Sequence, residues 1–101
     1  DIAKWGGFTE CSKLIKNIVQ NKITYCPHYL GGGIGLVASA HLLSASDDKG
    51  ILEVDINDNP LRSDIVGDIL EKNSGFATLS DIPGLGFEPN LKAISKYLVA
   101  H

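Results

Sequence analysis

Apolar residues recur at helical spacing near the start of the chain. Phe8, Cys11, Ile15, Ile18 and Val19 fall on one side, and Lys13, Lys16, Asn17 and Gln20 lie mostly on the other. This pattern predicts an amphipathic helix over residues 9–21. Thr9 can cap its N-terminus, and Glu10 in the first turn suits the helix dipole. Ile23-Thr24-Tyr25-Cys26 is a short β-prone run stopped by Pro27. A glycine-rich loop covers residues 28–33. A second helix is predicted over residues 34–44; it is apolar on most sides (Ile34, Leu36, Val37, Ala38, Ala40, Leu42, Leu43) and so needs cover on more than one face. A turn at Ser46-Asp47-Asp48-Lys49-Gly50 leads into a further short strand, Ile51-Leu52-Glu53-Val54.

Strand, helix, strand, helix, strand is the βαβαβ order of a parallel sheet. The pattern then changes. Residues 55–68 form a polar stretch containing Pro60. Leu70-Glu71-Lys72 and Phe76-Ala77-Thr78-Leu79, joined at Asn73-Ser74-Gly75, read as a β-hairpin. Pro83-Gly84-Leu85-Gly86 is a tight loop, and Asn90 can cap a short last helix over residues 91–97. Two or three parallel strands do not make a complete sheet, because such strands are normally covered on both faces. Asp1-Ile2-Ala3-Lys4 reads as the end of an element already under way, and the chain has no methionine. A segment of a longer protein is the expectation.

Composition narrows the partners. Of the 101 residues, 21% are charged and the formal net charge is -3. Lysines are scattered and Arg62 is the only arginine, whereas a nucleic-acid binder concentrates positive charge on one face; no nucleic acid is expected. No apolar run approaches the ~20 residues of a membrane span, and no secretory signal opens the chain, so no membrane partner is expected. Cys11 and Cys26 do not form a disulfide framework; two reduced thiols in a cytoplasmic protein are expected.

Three ionisable residues stand at or just after the predicted parallel strands: Asp1, His28 and Glu53. In a (β/α) barrel the C-terminal strand ends form the active-site face. Three successive strands would then aim a carboxylate, an imidazole and a second carboxylate into one pocket. A His beside an Asp is a sound general base, and a protonated carboxylic acid opposite can donate to a developing oxyanion. Tyr29, Gly32 and Asp55 lie close to these residues in the sequence and are candidates for substrate contact.

The segment from Asp1 to His28, with Lys4-Trp5-Gly6-Gly7 near its start and Cys26-Pro27-His28 at its end, resembles the sixth-to-seventh-strand region of the mandelate racemase and muconate lactonizing family of the enolase superfamily. Ala38-Ser39-Ala40-His41-Leu42-Leu43 is similar to the helix after the family's catalytic histidine. Leu52-Glu53-Val54-Asp55 looks like the eighth-strand segment that supplies its glutamate. Asn59-Pro60-Leu61-Arg62 and the run from Asp81 to Pro89 resemble its C-terminal tail. The resemblance implies the C-terminal portion of a TIM-like barrel over residues 1–67, then a hairpin, a short helix and a tail over residues 68–101 returning toward a capping domain. It implies that His28 and Asp1 form the dyad that moves a proton on the carbon next to a substrate carboxylate, with Glu53 hydrogen-bonding the enediolate. Racemase, acid-sugar dehydratase and cycloisomerase share that step. The family also implies Mg²⁺, a small carboxylate or sugar-acid substrate, the rest of the barrel and capping domain as partners, and a homo-oligomer at full length. This chain has no Lys-x-Lys base and offers no metal ligands of its own, so it is expected to be inactive alone.

One rival motif competes. Gly33-Ile34-Gly35-Leu36-Val37-Ala38 matches the G-x-G-x-x-A of a nucleotide-binding βαβ unit, with Glu53 near the end of the next strand. Against it, Pro27-His28-Tyr29-Leu30 separates the strand from the glycines. A non-catalytic binding fragment is the other alternative. His41 has no further ligand at zinc spacing and reads as a structural histidine within a helix.

Overall fold

The computed structural model describes residues 1–46, 49–67, 69, 72–73 and 75–99. Parts of the expected turn and hairpin (Asp47, Asp48, Leu70, Glu71 and Ser74) lie outside them. The described elements are helices α1 (Gly7–Gln20), α2 (Gly33–Ser44), α3 (Pro60–Val66) and α4 (Leu91–Ile94), a 3₁₀ turn Ser95–Tyr97, and strands β1 (Lys72–Asn73) and β2 (Phe76–Ala77).

Helix α1 starts two residues before Thr9. Its N-cap is Gly6, with no side-chain cap. Gly6 and Gly7 both take positive φ, 87° and 68°, conformations that a Cβ would strain. The chain can therefore turn directly into the helix, and Thr9 falls inside it. Glu10 spends its charge on Lys13, 2.7 Å away.

The apolar faces read from the sequence meet. Ile2, Cys11 and Ile15 pack with Ala38 and Leu42 of α2, and Ile18, Tyr25 and Leu85 close the edges. Burial of this kind contributes roughly 1.5–3 kcal/mol for each large side chain. Helix α2 buries residues from Gly33 to Leu42 on most of its circumference, as its unbroken apolar sequence demands. Ser39, fully buried, donates its hydroxyl back to Gly35 O at 2.8 Å and so leaves no unpaired donor in the core.

The expected strands at residues 23–26 and 51–54 form no ladder; a single parallel bridge joins His28 to Glu53. Pro27 has no N–H to donate, but its carbonyl accepts from Glu53 N–H at 3.1 Å. A parallel ladder is weaker per residue than an antiparallel one and depends on cover from both faces. Close approach persists without the ladder: a Cβ on Gly50 would lie 1.7 Å from Tyr25 O.

The polar stretch after residue 55 contains a helix that its polarity conceals. Asn59 caps α3 by accepting from Leu61 N–H at 3.0 Å, and Pro60 occupies the first turn, a favoured N-terminal combination. Helix α3 lies so close to α2 that a Cβ on Gly33 would sit 2.4 Å from Arg62 O. The tail is fastened to both helices. Ile65 O accepts from Asn90 N–H at 2.9 Å, Asp64 pairs with Lys96 at 3.2 Å, and His41 Nε2 meets Leu85 O at 3.2 Å. Because Leu85 O can only accept, His41 carries its proton on Nε2 there. Asn90 caps α4 through Ala93 N–H. β1 and β2 pair antiparallel, Lys72 with Ala77 and Asn73 with Phe76. Among the described residues no helix is long and apolar enough to cross a membrane.

Candidate active site

Three segments meet beside the bridge. Residues paired in a parallel bridge project to the same side, and here His28 Nε2 stands 3.3 Å from Glu53 Oε1. Asp1 Oδ1 accepts from the backbone N–H of His28 at 3.0 Å, while Asp1 Oδ2 holds Lys4 Nζ at 2.9 Å. The structure thus brings Asp1, His28 and Glu53 into one cluster in the order of their segments. The contacts are distributed differently from a ring-to-carboxylate dyad: Asp1 grips the main chain of His28, and the ring faces Glu53. Among the described residues the ring has no ion-pair contact with Asp1. The His28 and Glu53 side chains are 49% and 60% exposed, so both are open to solvent in this chain.

The flanking candidates fall in two groups. Tyr29 lays its ring over the glycine loop, and a Cβ at Gly31 or Gly35 would come within 2.5 and 2.3 Å of it. Gly32 is the N-cap of α2, and a Cβ there would lie 3.2 Å from Leu61 O. Both residues wall the loop that follows His28. Asp55 is engaged elsewhere. Its Oδ1 accepts from Asn57 N–H at 3.0 Å and from Asn57 Nδ2 at 2.8 Å, and its Oδ2 lies 3.6 Å from Arg62 Nη1. The bond from Asn57 N–H, ahead of the nearby guanidinium, holds the Asp55 carboxyl below its ordinary value of 3.8. Arg62 Nη2 also donates to Asn57 O, and Asn59 Nδ2 reaches Gly31 O at 3.4 Å. Asn57, Asn59 and Arg62 were not candidates from composition or spacing. The one available signal was Asn59-Pro60, an N-cap followed by Pro.

The glycine motif does not hold a nucleotide. Gly33 and Gly35 lie inside α2 rather than at a strand end, and the space over them is filled by Arg62 O and the Tyr29 ring. A pyrophosphate needs that close backbone approach left open. Nor do the described residues contain three His, Cys, Asp or Glu side chains that could hold a metal together. A groove between α2, residues 50–54 and residues 75–81 is lined by Leu43, Leu52, Val54, Phe76 and Leu79 among others, with Asp81 at its edge. None of Asp1, His28 or Glu53 lines it; its lining is mostly apolar, with His41, Ser44, Thr78 and Ser80 among it.

Residues 1–93 match the family model described as enolase C-terminal domain-like. D-galactarolactone cycloisomerase of Agrobacterium fabrum is 29% identical over 105 aligned residues, covering 96% of this chain and 28% of that protein. Arabinonate dehydratase of Saccharolobus solfataricus is 31% identical over 87, covering 86% of this chain and 23% of that protein. Among solved structures, a mandelate racemase/muconate lactonizing enzyme from Bordetella bronchiseptica RB50 superposes with a TM-score of 0.85 at 48% identity, over 95% of this chain and 27% of that one. The chain spans about a quarter of the length of the relatives it matches.

Proposed function

The chain belongs to the enolase C-terminal domain-like family, and on that premise we propose that it supplies the His28–Glu53 part of an active site that removes the proton next to a substrate carboxylate. The observation that carries this reading is the 3.3 Å approach of His28 Nε2 to Glu53 Oε1, two half-open side chains held side by side by main-chain pairing. With substrate present the pair separates its duties. His28 Nε2 takes the α-proton, and the electron pair of the broken C–H bond moves into the carboxylate to give an enediolate. Glu53, as the acid, donates a hydrogen bond to the oxygen on which that charge develops. Asp1 fixes His28 through its backbone N–H, and Tyr29 with Gly32 shapes the loop beside it.

By name the cycloisomerase acts on a sugar-acid lactone, D-galactarolactone, and the dehydratase on a sugar acid, arabinonate, which favours a hydroxy acid or sugar acid as substrate. Racemisation, dehydration and cycloisomerisation all begin with the step assigned to His28. The described residues do not fit a magnesium site; the ion implied by the family would be held by the remainder of a longer protein, and no step here is routed through it.

The test is deuterium uptake from D₂O at the α-carbon of a panel of sugar acids, catalysed by the protein that carries this chain. His28→Asn should remove uptake on one face of the substrate, by ~10²–10⁴ in rate for a lost general base. Uptake at the parental rate on both faces would overturn the assignment.

A further inference from the structure

The His28–Glu53 pair poses a mechanical problem. Both side chains are about half exposed, so little packing fixes where their ends lie. Their separation is set by the main chain around the bridge, and the bridge stands without a ladder on either side. The chain leaving Glu53 is held, however, by a partly shielded polar clamp two residues on. The Asp55 and Arg62 side chains are only 17% and 14% exposed. Asp55 closes a turn on Asn57, Arg62 spans from Asp55 Oδ2 to Asn57 O, and Arg62 N–H bonds Asn59 O at 2.8 Å. Asn59 then ties this loop to Gly31, in the loop leaving His28. The two loops that carry the pair are therefore joined through one polar network rooted at the N-terminus of α3.

We propose that Arg62 is a positioning residue for Glu53, acting through Asp55 and Asn57, and that Asp55 serves this clamp instead of touching substrate. The inference rests on the reading of His28 and Glu53 given above. Chemistry favours arginine at this place. Its planar fork can face the Asp55 carboxylate and the Asn57 carbonyl at once, whereas a lysine ammonium is a single point charge on a flexible stem. Releasing the fork would let the 55–59 loop relax and Glu53 drift from His28, and a displacement of about 1 Å at reacting groups can cost ~10²-fold.

The experiment compares Arg62→Gln, Arg62→Lys, Asp55→Asn and the Arg62→Gln/Asp55→Asn double variant with His28→Asn in the full-length protein, reading kcat, KM and α-deuterium uptake well below the thermal midpoint. Arg62→Gln should lower kcat roughly ten- to a hundred-fold with KM nearly unchanged. Arg62→Lys should recover part of the loss, and the double variant should fall no further than Arg62→Gln, because both changes open one network. If Arg62→Gln does not fold, Asp55→Asn, which keeps the turn on Asn57 but removes the charge pair, carries the same expectation in a milder form. A parental kcat in the folded Arg62 and Asp55 variants, while His28→Asn is inactive, would overturn the clamp and leave the proton-abstraction reading standing. A raised KM at unchanged kcat in Asp55→Asn would overturn it too, returning Asp55 to substrate contact. Full activity of His28→Asn would overturn the reading on which the clamp rests.

Discussion

The two sides of the molecule are held by different forces. Between α1 and α2, Ile2, Cys11, Ile15, Ala38 and Leu42 exclude water and need only match in volume. Around the bridge, Pro27 is buried, but the pair and its loops are held by polar contacts among carboxylates, amides and a guanidinium. Apolar packing is tolerant of direction and gives stability, whereas polar pairing is demanding in direction and gives position. Rate and stability should therefore separate when the two regions are perturbed.

The largest separation is expected at the pair itself. His28→Asn and Glu53→Gln should each reduce α-proton exchange strongly, His28→Asn by ~10²–10⁴. Both side chains are half exposed, so unfolding free energies should stay within about 0.5 kcal/mol of the parent. A large stability loss in either would show that the two regions are not independent. Leu42→Ala is the mirror experiment. Leu42 is 3% exposed, and its truncation should cost about 2–5 kcal/mol in urea unfolding while the folded enzyme keeps its exchange rate.

Gly33→Ala probes the border between the regions. A Cβ there meets Arg62 O at 2.4 Å and Val66 side-chain carbons at 2.6 and 2.9 Å, so α3 must move. Overpacking of this kind costs about 1–3 kcal/mol, and kcat should fall with stability because Arg62 moves as well. Retained kcat in a destabilised Gly33→Ala protein would place the clamp outside the site's mechanics. Asn59→Ala should cost about 1 kcal/mol through the lost cap of α3, measured by the same unfolding.

The smallest effect concerns pH. The carboxyl of Asp55 is held below its ordinary value in the folded protein. Its contribution to stability is therefore fully present above that ordinary value, near 3.8, and is lost as pH falls through the lowered folded value. The difference in thermal midpoint between the parent and Asp55→Asn should be constant from neutral pH down to about 5, and shrink below 4. A difference that grows on acidification would contradict the bonding described for Asp55.

Much of the apolar side was legible in the sequence, because helical spacing of Cys11, Ile15 and Ile18 and the all-round apolarity of residues 34–44 report burial directly. The helix at residues 60–66 was hidden: seven residues are too few for periodicity to speak, and only Asn59-Pro60 announced it. The strands at 23–26 and 51–54 were read from β-propensity, which records fit to a sheet surface; among the described residues the two segments share one bridge and no ladder. At the candidate site, the clustering of Asp1, His28 and Glu53 was anticipated from strand-end positions. Which atom each would touch was not, since Asp1 reaches a backbone N–H that no spacing rule marks. Asp55 illustrates the same point, being adjacent in sequence to the site yet bonded away from it.

The most direct test of the central claim is a crystal structure of the full-length protein with a bound sugar acid or its unreactive analogue. The account predicts the ligand's α-carbon about 3–3.5 Å from His28 Nε2, with a carboxylate oxygen in hydrogen-bond reach of Glu53 and the Asp55–Arg62 pair intact beneath it. A ligand seated instead in the apolar groove between α2 and residues 75–81, with His28 and Glu53 free of it, would contradict the account.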